Sequence, residues 1–174
     1  MERLRVAVEE WELYNNGILL CKWFDSDSDI EDINDYVREA KINNGLNSND
    51  LELFCADWEY DRFGIVEENS NIEKVFEIYQ DLERFDEYEL NKIEYLTSQC
   101  GYDLDDAIDK QEDVQIYEID NFKDLAEEFI QEGLYGSAVS ELWENNWHYL
   151  DLDAMARDLE FDYHLYDGKI YRVD

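Results

Sequence analysis

The chain of 174 residues has no proline, only seven glycines, three cysteines and two histidines. Without proline there is no rigid linker. Cys21, Cys55 and Cys100 are odd in number and far apart, with no C-x-x-C pair, so neither a disulfide framework nor a zinc site is suggested. They read as small buried hydrophobes in a reducing compartment. No apolar run approaches the ~18 residues of a membrane span, and "MERLRVAVEEWELY" lacks the apolar stretch of a signal peptide. A protein that stays in the cytoplasm is expected.

Bases are scarcer still. Against 14 Lys and Arg stand 47 Asp and Glu, a formal charge of −33. Self-repulsion of that size works against compactness, while solubility of a small domain needs a net charge of only about 2 to 8. Apolar residues at 45% and aromatics at 15% are too many for a disordered acidic tail, so the chain folds. Its partners should present basic surfaces; direct binding to nucleic acid or to an anionic membrane is disfavoured.

The pattern predicts an α+β fold in three small domains. Residues 1–66 form an N-terminal α+β unit: Leu4, Val6 and Val8 alternate as a strand, Asn16-Gly17 marks a turn, and Ile18 to Phe24 returns as a second strand. Ser26 or Ser28 could cap a helix through Ile33 and Val37, and "LELFCADW" supplies a third strand. Residues 67–112 read as helix, opened by a Ser70/Glu73 capping box and closed by "DLDDAIDK". Residues 113–174 return to α+β, with Asn121 capping a helix, more helix at about 137 to 145 and 153 to 160, and a hairpin at Asp167-Gly168. Net charge is even along the three: −10, −10 and −13 for residues 1–62, 63–110 and 111–174.

Chemical motifs fail one by one. "DSDSDIEDINDY" begins like a calcium loop, but Ile30 stands where the sharp turn needs glycine and Tyr36 where a bidentate glutamate is needed. "HYLDLDAMARDLEFDYH" brackets five carboxylates with His148 and His164, yet a two-histidine helical site needs them one turn apart, not 16 residues. The helix between them has an apolar side of Leu152, Met155, Ala156 and Leu159, which leaves its acids on the wet side. No nucleophile elbow, Walker loop or dinucleotide fingerprint is present. No catalytic residue, metal or cofactor is named, and the protein is expected not to be an enzyme. The five tryptophans and thirteen tyrosines read as core and interface filler.

Double-stranded DNA carries one charge per about 1.7 Å, so 33 charges correspond to roughly 56 Å of duplex. A uniform acid coat can thus offer a DNA-binding protein carboxylates where it expects phosphates. The acids singled out for this role are delocalised. They are Glu67, Glu68, Asp81, Glu83, Asp86, Glu87 and Glu89, followed by Asp103, Asp105, Asp106, Asp109, Glu112 and Asp113.

Several stretches, "LYNNGILLCKWFD", "LELFCADWE", "NIEKVFEIYQDLERFDEYELNKI", "DLAEEFIQEGLYGS" and above all "HYLDLDAMARDLEFDY" with its "ARDL", resemble in order the ArdA antirestriction proteins, DNA mimics carried by plasmids, transposons and phages. The resemblance implies three small domains in an elongated homodimer, joined through the C-terminal domain and occupying the DNA groove of type I restriction-modification enzymes in a bacterial host. Leu152, Met155, Ala156 and Leu159 then become candidate interface or core positions. Two rivals are an acidic mimic aimed at another defence nuclease or nucleic-acid-binding protein, and, from a different class, a carboxylate metal-binding protein.

Overall fold

The computed structural model describes residues 2–20 and 22–174, which group into two compact units, the first ending at Glu94 and the second opening at Tyr95. The fold class is mixed α+β, as the sequence led us to expect.

In the first unit, strand β1 (Arg5–Glu10) is central, flanked antiparallel by β2 (Lys22–Asp25) and β3 (Leu53–Glu59). Leu4, Val6 and Val8 are all buried, two apart on one face of the strand, but Ala7 and Glu9 between and beyond them are buried as well, so β1 is covered on both faces rather than half-buried. Helices α2 (Ile30–Asn43) and α3 (Ile72–Leu82) contribute Ile33, Ile72, Val75, Phe76 and Tyr79 to the same core. At about 25 cal/mol per Å² of apolar surface, this shared burial is the main term holding the unit together.

Three local expectations are corrected. Asn16-Gly17 does turn the chain, but at the end of a helix rather than directly between two strands: β1 runs into a short helix α1 (Trp11–Asn15), because the Glu10 carboxylate accepts from the Leu13 amide and caps it. Gly17, at φ 75°, ends that helix in the left-handed conformation that glycine adopts freely, and Ile18 N–H donates to the Leu13 carbonyl. The cap of α2 is Asp29, accepting from Glu31 N–H, rather than Ser26 or Ser28. Likewise Asn71 caps α3 through Lys74 N–H, while the Ser70 hydroxyl accepts from Glu67 N–H.

Helix α4 (Glu87–Ser98) spans the boundary, with Leu90 and Ile93 buried before it and Tyr95 and Leu96 after it. The second unit continues with α5 (Leu104–Lys110), β4 (Val114–Tyr117), α6 (Phe122–Gln131), α7 (Ser137–Asn146) and α8 (Leu152–Leu159). Strands β5 (His164–Tyr166) and β6 (Lys169–Val173) close it as an antiparallel hairpin, in sheet order β4-β6-β5. Both turn residues, Asp167 at φ 45° and Gly168 at φ 71°, are left-handed, as a tight primed turn requires. Asn121 caps α6 through Asp124 N–H, as expected, and Leu125, Ala126 and Phe129 pack with Leu159, Tyr163 and Ile170.

Candidate functional site

Charge is sorted by depth. Of the acids, only Glu9 and Glu10 are buried among the described residues, and both are satisfied. Glu9 accepts from Leu20 N–H, while Glu10 holds Lys41 at 2.8 Å and the Leu13 amide at 2.9 Å. Twelve of the thirteen acids singled out in the sequence are exposed; Glu89 is half-buried.

Several of those acids also do structural work. Asp86 and Glu89 cap each other's backbone amides, Asp103 caps α5 through Asp106 N–H, and Glu83 lies 3.4 Å from Arg3. Glu87 joins a cluster on Arg62, whose guanidinium donates to Glu94 at 2.7 Å, Glu87 at 2.8 Å and Asn91 at 2.6 Å. Burial works against the charge on Arg62, but the hydrogen bonds and charges of Glu94 and Glu87 outweigh it and hold the group above its ordinary value. Other bases are similarly engaged: Arg5 with Asp25 and Glu59, Lys123 with Asp153, Lys169 with Glu118. The outward charge therefore stays close to that of the whole chain, with several of the surface bases held against acids.

The remaining sequence candidates separate clearly. Met155 and Leu159 pack into the core of the second unit and Ala156 is buried, while Leu152 is half-buried. Apolar side chains do lie open nearby, at Leu134 before α7 and on the 3-10 helix that follows it at Trp147–Tyr149, with Val139, Leu142 and Trp143 of α7 half-buried between them in sequence. Helix α7 buries none of its ten residues; Leu134, Trp147 and Tyr149 are 63%, 61% and 74% exposed. Residues 133–150 carry only two charges, Glu141 and Glu144, on a chain where acids are otherwise dense. That depletion was the signal available in the sequence.

The two histidines do not converge on a site. His164 Nδ1 is 2.5 Å from the hydroxyl of buried Tyr95, whereas the His148 ring lies tilted against that of Tyr149. No group of three or more metal-capable side chains comes together among the described residues. Asp27 and Asp29, from the calcium-like stretch, pair with Arg3 and cap α2 respectively. Cys55 is buried, but Cys100 is exposed just beyond the end of α4, contrary to the reading of all three cysteines as core; Cys21 lies outside the described residues. Of the tryptophans, read as core and interface filler, Trp11, Trp23 and Trp143 are half-buried and Trp58 and Trp147 exposed, so none lies fully in a core.

One further cavity, of about 480 Å³, lies in the first unit and is lined by Glu2, Tyr60, Asp61, Arg62 and Glu87. Tyr60 has φ 64°, a left-handed conformation that costs a bulky residue of order 1 kcal/mol or more.

No curated protein sequence matches the chain significantly. The family model described as "Antirestriction protein (ArdA)" matches residues 6–170, so it takes in every helix described above and both sheets except Arg5 and the last three residues of β6. The chain belongs to the ArdA family of antirestriction proteins.

Proposed function

We propose that the protein blocks type I restriction-modification enzymes by occupying their DNA-binding groove as a mimic of B-form DNA. The observation that carries this reading is the placement of charge: −33 spread evenly along the chain, with nearly all carboxylates outside and many of the bases tied to acids. A groove built to bind phosphates should attract such a surface at long range, quickly and in a salt-sensitive way. Binding of that kind is stoichiometric and needs no catalytic residue or cofactor. It belongs in the cytoplasm of the bacterial host, where restriction enzymes meet incoming DNA.

The same reading includes the three-segment division at 1–66, 67–112 and 113–174 and a homodimer through the last segment. For the dimer we favour the α7 and Trp147–Tyr149 face over α8. Two copies of a −33 chain repel, and this is where apolar area is open and charge is sparse. Core positions Met155 and Leu159 then support the face from beneath.

The test is displacement of a labelled duplex from a type I methyltransferase core by the purified protein at low salt. Displacement near one dimer per enzyme supports the proposal; retention of the duplex rejects that target.

A further inference from the structure

We infer that the cavity beside Tyr60 receives an arginine side chain of the protein partner, a localised anchor within a surface that otherwise acts through diffuse charge. The partner's basic character rests on the mimicry proposed above; the anchor rests on the cavity.

Tyr60 is placed oddly for a structural residue. It follows β3 at φ 64°, where glycine or asparagine would sit without strain. Its ring gains little from burial, being 47% exposed, and among the described residues it stacks on no other ring and its hydroxyl has no hydrogen-bond partner. Neither backbone preference nor packing therefore accounts for a tyrosine here. What the ring does is form one wall of a cavity of about 480 Å³, within the range of about 300 to 1,000 Å³ of small-ligand sites.

The other walls select the charge of the occupant. Three carboxylates, Glu2, Asp61 and Glu87, face one guanidinium, that of Arg62, so the lining is net −2. Arg62 is already committed to Glu94, Glu87 and Asn91. Asp61 is committed as well, accepting from the Tyr79 hydroxyl and from the amides of Ile65 and Val66. Glu2 is exposed and offers its carboxylate beside the ring, while Glu87, which already accepts from Arg62 at 2.8 Å, adds negative charge to the lining. An aromatic face next to carboxylates is a cation site, and a planar guanidinium suits it better than an ammonium, because it stacks flat and can bridge two oxygens.

The experiment is an amide-shift NMR titration of the full chain with N-acetyl-argininamide at low salt, with the lysine and citrulline analogues alongside. Saturable shifts confined to Glu2 and Tyr60–Phe63 are expected with arginine, weaker ones with lysine and none with citrulline. Tyr60→Gly relieves the backbone and should melt no lower than wild type, yet lose about tenfold in arginine affinity and in potency of DNA displacement, while Tyr60→Phe keeps both. Arginine shifts scattered over the acidic surface without saturation would overturn the inference, as would a Tyr60→Gly protein that binds and inhibits like wild type. If wild type failed to displace DNA but still gave the confined arginine shifts, the anchor would stand and only the restriction-enzyme target would fall.

Discussion

The ammonium of Lys41 lies 2.8 Å from Oε1 of Glu10, with only 3% and 1% of the two side chains exposed. The pair ties α2 to the end of β1, and a second oxygen of Glu10 caps α1, so one buried carboxylate fixes three elements. Removing one partner leaves the other charged in the core. Lys41→Met should therefore lose about 3 to 5 kcal/mol, read by urea unfolding. Burial alone would pull the Lys41 pKa down, but hydrogen bonds and charge from Glu10 and Glu12 hold it above its ordinary value of 10.5. A folded pKa raised above the unfolded one gives stability that is fully present below the ordinary value and is lost as pH rises through the folded pKa. Stability from this pair should hold through neutral pH and fall only in alkali above 10.5. A Lys41→Met protein as stable as wild type would refute this role.

Charge on the docking surface should act in aggregate. Asp86, Glu87, Glu89 and Asp103 also cap helices or hold Arg62, so changing them mixes folding with binding. Glu67, Glu68, Asp81, Asp105 and Asp109 are exposed and better suited. Each single change to the amide should weaken inhibition by no more than about fivefold, because an exposed ion pair contributes about 0 to 1 kcal/mol, while the combined variant should lose far more. Any one of these that abolished inhibition without unfolding the protein would contradict a delocalised surface.

Self-association and core packing should separate cleanly between α7 and α8. Trp147→Ser with Tyr149→Ser should shift the mass measured by light scattering from dimer to monomer and leave the melting temperature nearly unchanged, because both residues are exposed. Leu159→Ala should do the reverse, costing about 2 to 5 kcal/mol as a buried leucine truncation. A dimer that survived the aromatic pair change would move the interface elsewhere.

Cysteine labelling offers an independent check on depth. Burial raises the Cys55 thiol to about 11, while Cys100 is exposed. At neutral pH, peptide mapping after brief alkylation should find Cys100 modified well before Cys55, since the thiolate is the nucleophile and access is needed. Equal rates would mean that β3 is not sealed as described.

What could be read from the sequence was what local chemistry decides. Asn121 at the head of α6 and Asp167-Gly168 in the last hairpin were legible because their neighbours alone dictate them. The helix inserted after β1 was not, since its Glu10 cap is held in place by a lysine 31 residues further on. The cap of α2 was misplaced because Ser26, Ser28 and Asp29 are all acceptable caps and only the fold chooses. The apolar side of α8 was visible, but periodicity says only that something covers it; here it is largely the chain's own core. Tyr60 gave no sign at all, since nothing in the sequence betrays its left-handed backbone.

The most direct test of mimicry is the salt dependence of DNA displacement from a type I methyltransferase core, measured with this protein and with unlabelled duplex as parallel competitors. Both should compete at low salt and weaken together as salt rises, because both neutralise the same lysines and arginines. Failure to displace DNA at low salt, or displacement indifferent to salt, would contradict it.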